Sequence, residues 1–291
     1  MYKPNRLFPI AIISLITVLL LCAPAAGRDS KKMDLKKISV SDAAAKHDTL
    51  IFLDARPVKV FKEGHIPNAR SFSWEKYTRT DAEGVTYRTF PPEELAVALG
   101  NLGISNTDAV VVYGDADTSW GGEGWLAWVL AWLGHEGPVY CMDGGFPLWK
   151  AEGHPVAKYE KNEFSKKTYT IHLKPDKQIT AKEIARAGKS INFVDTRSYF
   201  TEFLPGHLPG AVHINWKKFY KGSYHRFLSR KAVKNLLEKN GVDLNKPVVY
   251  YCTGGIRSGF AWMVHQLAGL PNAVNFEGGT EEWIRMKDSM Q

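Results

Sequence analysis

Cysteine is scarce in this 291-residue chain: Cys22, Cys141 and Cys252 are the whole complement. Three thiols exclude a disulfide framework and a four-thiolate zinc site. The histidines, such as His135, His154, His172, His213, His225 and His265, show no metal-ligand spacing, so no metal is expected. A glycine-rich phosphate loop and a dinucleotide fingerprint are also missing. Long apolar runs are equally rare. The one of note, from Leu7 to Leu21, falls short of the about 20 residues that a membrane span needs. No basic stripe is interleaved with aromatics, so nucleic acid is not an expected partner.

What is present is an ordinary globular composition, 44% hydrophobic and 23% charged, which rules out whole-chain disorder. The length exceeds what one core usually needs and predicts two domains. Lys3 and Arg6 precede the apolar run, and small residues including Ala23 and Ala25 follow it. That order predicts a secretory signal peptide over residues 1–26, hence a periplasmic or secreted protein with no integral membrane span once the signal is removed. An uncleaved anchor is the alternative. Cys22 follows the bulky Leu21, which argues against lipidation. Without the leader, 36 basic residues face 30 acids, an excess of +6 that is scattered along the chain. It favours small anionic ligands only mildly.

The chain is written twice. Ile51-Phe-Leu-Asp54-Ala-Arg56 returns as Asn192-Phe-Val-Asp195-Thr-Arg197, and Gly64-His65-Ile66-Pro67 as Gly206-His207-Leu208-Pro209. Trp74 returns as Trp216, Ile38-Ser39 as Ile179-Thr180, and Asp143-Gly-Gly-Phe-Pro-Leu-Trp149 as Glu277-Gly-Gly-Thr-Glu-Glu-Trp283. The offsets drift slowly through 141, 142 and 134, and the order is kept. This predicts a duplicated domain of roughly 110–130 residues. We expect domains at 34–155 and 178–288, joined by a Lys-rich linker at 156–177.

Each half reads alike. Ser39 and Thr180 read as helix N-caps, Thr180 with Glu183 as a capping box. Short β-branched and aromatic runs at 50–53, 109–113, 191–194 and 247–251 read as buried strands. Helices are expected at 92–102, 124–133, 229–240 and 256–267. This alternation predicts an α/β fold, each domain a mainly parallel central sheet flanked by helices.

Most of the chemistry sits in one segment, Tyr251-Cys252-Thr253-Gly254-Gly255-Ile256-Arg257-Ser258. A strand ends, a loop follows and a helix begins, at the sheet edge where open α/β folds put ligands. The backbone N–H groups from Thr253 to Ser258 are able to curl into a ring of donors. Such a nest at a helix N-terminus binds anions and favours a thiolate. An inert buried cysteine is the plain alternative.

At these residues the sequence resembles the rhodanese family, the thiosulfate and mercaptopyruvate sulfurtransferases. The Asp-x-Arg, Gly-His-x-Pro, cysteine-loop and Gly-Gly-x-x-x-Trp signatures carry the resemblance from about Ile38 to Trp283. It implies two tandem rhodanese-like domains, the second catalytic and the first without its nucleophile. Asp115 marks that lost position. It also implies Cys252 as nucleophile and a covalent persulfide in place of any cofactor. The implied partners are a small anionic sulfur donor and a cyanide or thiol acceptor. The loop residues Thr253, Gly254, Gly255, Ile256 and Ser258, with Arg257 and Arg197, are expected to hold the donor. For Arg197 a structural pair with Asp195 competes with that role, and for Arg257 an outward-facing position.

Four residues separate Cys252 from Arg257, one fewer than the phosphatases that the loop also resembles, which favours sulfur over phosphate. The loop matches neither the thiosulfate-type nor the mercaptopyruvate-type sequence, so the donor stays open. A non-catalytic persulfide or oxyanion carrier is the reading from another class. His65 and His207 recur in both halves, which points to a shared structural task over a general base. Trp74, Trp216, Trp149 and Trp283 are read as packing, Cys141 as a strand-end residue. Trp120 and Trp125 occur in the first half alone and are candidates to face the second half's pocket. A monomer is expected.

Overall fold

Short β-branched and aromatic runs, four residues each, build the inner strands of two parallel sheets. The protein is described from a computed structural model that covers residues 33–158 and 163–288; the leader pattern lies outside these. The first sheet holds β1 (Leu35–Ile38), β2 (Ile51–Asp54), β3 (Arg70–Ser71), β6 (Val110–Tyr113) and β7 (Val139–Met142). Its order is β1-β7-β6-β2-β3, and every pairing is parallel. Between β3 and β6 lies a small antiparallel hairpin, β4 (Thr78–Arg79) and β5 (Arg88–Thr89).

The second half repeats the plan. Strands β8 (Asn192–Asp195), β9 (Val212–His213), β12 (Val248–Tyr251) and β13 (Ala273–Phe276) form a parallel sheet ordered β13-β12-β8-β9. Its hairpin is β10 (Tyr220–Lys221) and β11 (Arg226–Phe227). The counterpart of β1 is reduced to one parallel bridge, Gln178 to Asn275. The expected helices form at Pro92–Asn101, Gly122–Trp132, Arg230–Lys239 and Ile256–Leu267. Ser39 caps its helix through Asp42 N, and Thr180 with Glu183 closes a capping box.

The halves meet through the helices Gly122–Trp132 and Ile256–Leu267. They cross where each carries glycine: a Cβ on Gly124 would sit 2.1 Å from Phe260 Cα, and one on Gly259 2.9 Å from Trp125 Cα. No side chain larger than hydrogen fits that crossing. Each half also lends its hairpin to the other. Glu277, of the second half, accepts from Thr89 N (2.6 Å) and Arg88 Nη1 (2.5 Å). Its repeat mate Asp143 accepts from Phe227 N (2.7 Å) and Arg226 Nε (3.3 Å). The two acids of the repeated Gly-Gly turns thus tie the halves together by a pseudo-twofold exchange.

The expected linker does not hang free. Within it Lys167 N donates to Gly100 O, His172 N to Leu133 O and Lys174 N to Trp132 O. Tyr169 is buried and stacks on His135. Residues 167–174 form a strap across the first domain, pinned by backbone bonds that carry no periodic signature in the sequence.

Candidate active site

Cys252 sits where β12 gives out, and the helix Ile256–Leu267 starts four residues on. The turn needs Gly255, whose φ of 82° lies in the left-handed region and whose Cβ would meet Glu277 O at 2.6 Å. No side chain caps that helix, so its first N–H groups stay open at the cysteine end. Asn275 Nδ2 and Thr280 N fasten the turn from behind, through Gly255 O and Cys252 O. Ser258 Oγ lies 3.7 Å from Cys252 Sγ. The thiol is only 1% exposed, yet it forms the floor of a cavity of about 450 Å³.

That cavity brings together Cys252, Thr253, Gly254, Ile256 and Arg257 from the expected set. Gly255 and Ser258 stand just behind, in the turn and the helix. Arg197 does not join them. Its guanidinium clasps Asp195 (Nη2 to Oδ2, 2.6 Å) and donates to Gly206 O (2.7 Å). The corresponding Arg56 clasps Asp54 and Gly64 O in the same way. Identical bonds in the copy with the cysteine and the copy without it make Arg197 a structural clamp. The expected donor contact gives way to the alternative, the pair with Asp195. His65 and His207 likewise share one bond, ring Nδ1 to the carbonyl four residues back.

Arg257 faces the cavity with its charge already engaged. Nη1 and Nη2 each donate to Glu202 at 2.7 Å, and Nη2 reaches Thr253 Oγ1 at 2.9 Å. Burial pushes the Glu202 carboxyl up, but hydrogen bonds from Arg257 and Ser198 N outweigh it and hold its pKa at about 2. Burial lowers the Arg257 pKa in turn, and Glu202 and Cys252 together more than offset that. Sequence reading missed Glu202. Its only trace there is the step in the repeat offset from 141 to 142 between Arg197 and Gly206.

The first domain supplies the cavity's other walls: Trp74, Tyr87 and Trp120. Trp74, read as packing, therefore faces the site while its Nε1 donates to Ser119 O. Trp120 does face it, 54% exposed, with Arg257 against its ring at 5.5 Å. Trp125 is instead buried at the helix crossing. Tyr87 (φ 61°) and Trp120 (φ 55°) both hold left-handed backbone, which bulky residues rarely adopt. Such strain persists where the surroundings enforce it, typically at binding sites.

The first domain's own cradle is closed. Strand register matches Tyr113 with Tyr251: each pairs with the Asp of its Asp-x-Arg, and each phenol oxygen accepts from the residue after Gly-His. Gly114, not Asp115, therefore stands where Cys252 stands; Asp115 matches Thr253. A Cβ on Gly114 would lie 2.5 Å from Glu123 Oε2, so a carboxyl group fills the sulfur's place. Glu123 accepts from Ala116 N, and burial pushes its pKa up to about 8. Cys141 and Cys252 are both free and buried, and burial pushes the Cys141 thiol up. Among the described residues no cluster of side chains is arranged to hold a metal, and no helix is long and apolar enough to cross a membrane.

A rhodanese-like domain matches residues 39–152 and again residues 178–286. This chain belongs to the rhodanese family. The thiosulfate sulfurtransferase of Gallus gallus is 30% identical over 244 residues, 79% of this chain and 81% of that one. The sulfur carrier protein TtuD of Thermus thermophilus is 30% identical over 249 residues, 78% of this chain and 84% of that one. The structure of SseA from Escherichia coli, described as a 3-mercaptopyruvate sulfotransferase, superimposes with a TM-score of 0.74 at 19% identity. It covers 84% of this chain and 98% of that one. The rhodanese fold follows for both halves, and the sulfurtransferase class for the chain as a whole.

Proposed function

We propose that this sulfurtransferase moves sulfane sulfur from thiosulfate to a cyanide or thiol acceptor through a persulfide on Cys252. The observation that carries this reading is the placement of Cys252. It is the one thiol at the floor of the cavity, on an uncapped helix start, between two domains of which the other has lost its nucleophile. The Cys252 thiolate attacks the outer sulfur of thiosulfate. The donor's S–S bond breaks, and its electron pair leaves with sulfite. The terminal sulfur of the persulfide then faces the open amides of the helix start. The acceptor's lone pair attacks that sulfur, and the electron pair returns to Cys252. Two simple displacements replace one difficult transfer, and ping-pong kinetics follow.

Thiosulfate:cyanide transfer by the wild type, lost on Cys252→Ser, is the expected result. Absence of transfer in the wild type, or its survival in the variant, contradicts the reading. Comparing kcat/KM for thiosulfate and 3-mercaptopyruvate separates the two donor types. Export, argued from residues 1–26, is checked by N-terminal sequencing of the mature protein from its native cell fraction.

A further inference from the structure

The cysteine-bearing half carries one residue more than its twin in the turn beside the site. Arg56 and Gly64 are eight positions apart, Arg197 and Gly206 nine. The first half spends this stretch on an α-helical turn, Val58–Glu63; the second accommodates the extra residue as a π-helical turn, Tyr199–Phe203. Such turns recur at functional sites. The shared carbonyl-to-histidine bond aligns Phe203 with Phe61, and therefore Glu202 with Val60. Val60 lines the hollow over the first domain's closed cradle. The carboxylate thus belongs to the copy that holds the cysteine.

Glu202 is fully engaged at the mouth of that site. Its oxygens accept from Arg257 twice, from Thr253 Oγ1 (3.1 Å) and from Ser198 N (3.0 Å). Arg257 and Thr253 are the groups an oxyanion would seek. Arg257 is also the one cation among the described residues that line the cavity. With Glu202 ionised and Cys252 a thiolate or persulfide, the lining carries one net negative charge. The remaining walls are the rings of Trp74, Tyr87 and Trp120, which favour apolar bodies and ammonium groups.

We propose that Glu202 sets the charge preference of this site: by occupying Arg257 it handicaps anionic sulfur compounds and favours neutral or cationic organic thiols lying against the tryptophans. The proposal rests on the Cys252 persulfide reading and refines its substrate class. Thiosulfate remains a donor, but a weakly bound one.

The test loads Cys252 with sulfur and follows transfer to cysteamine, 2-mercaptoethanol and 3-mercaptopropionate, which are cationic, neutral and anionic. In the wild type the cysteamine-to-mercaptopropionate ratio of kcat/KM exceeds the same ratio for attack on a small free disulfide by about tenfold. Glu202→Gln frees Arg257, lowers that ratio by about tenfold and lowers KM for thiosulfate, and the shift shrinks in high salt. Glu202→Val, the first domain's residue, acts in the same direction. Ratios unchanged in both variants while loading persists overturn the proposal. So does a wild type that prefers the anionic thiol, a result that needs no variant to fold. If the wild type takes sulfur from no donor, the persulfide reading itself fails and this proposal falls with it.

Discussion

Arg197 and Arg257 show how differently two arginines expected at one site are legible. Arg257 follows the cysteine in an unbroken loop, so the local chain alone brings it to the cavity. Arg197 was an equal prospect by residue type, but its partners Asp195 and Gly206 O are set by the turn that folds back between them. The repeat holds the key to that distinction, because Arg56 makes the same bonds in the half whose turn holds no cysteine. We expect Arg56→Met and Arg197→Met to destabilise the protein alike, by about 3–5 kcal/mol, since each strands a buried aspartate. Urea unfolding checks this. An Arg197→Met protein of normal stability with a raised KM for the donor contradicts it. Glu202 was illegible because its role depends on a long-range meeting with Arg257. Trp120 is a further residue-scale case. Its exposed ring and left-handed backbone do nothing for the fold, so Trp120→Asn should unfold no more easily than wild type. Its KM for organic acceptors should rise, and steady-state kinetics beside thermal unfolding read both.

At the scale of elements, the strand-turn-helix unit occurs twice with opposite contents. After β12 the turn presents a thiol; after β6 it presents Gly114 and is filled by Glu123. The strands and helices of both units were readable from apolar runs and turn residues, with boundaries off by one or two positions. The plug was not, since a glutamate in a helix's first turn reads as an ordinary dipole partner. Its burial makes a pH prediction. The Glu123 pKa rises from 4.5 to about 8 on folding, so folding takes up a proton between those values. Its contribution to stability is complete below about pH 4.5 and is lost as pH climbs through about 8. Glu123→Gln should flatten that decline and leave the protein more stable than wild type above pH 8. Urea midpoints across pH 5–9 decide the matter, and an unchanged slope refutes it.

For the whole molecule, duplication explains both the two cores and the site between them. The sequence blocks predicted two domains but not their exchange of hairpins, because Asp143 and Glu277 read as mere turn residues. In the fold they join Phe227 to the first half and Thr89 to the second. Glu277→Ala strands the Thr89 amide, removes one of the three carboxylates around Arg88, and should cost about 2 kcal/mol or more. Asp143→Ala should act likewise, and both should lower one shared calorimetric transition. Two separated transitions in the wild type would contradict a common interface. The same interface gives Cys252 its walls, since Trp74, Tyr87 and Trp120 come from the domain whose matching turn holds no thiol. The central claim is that Cys252 carries sulfur in this shared cavity. Intact mass spectrometry after thiosulfate exposure tests it most directly. The account predicts a gain of one sulfur, located on Cys252 and absent in Cys252→Ser; an unchanged mass, or a sulfur on Cys141, would contradict it.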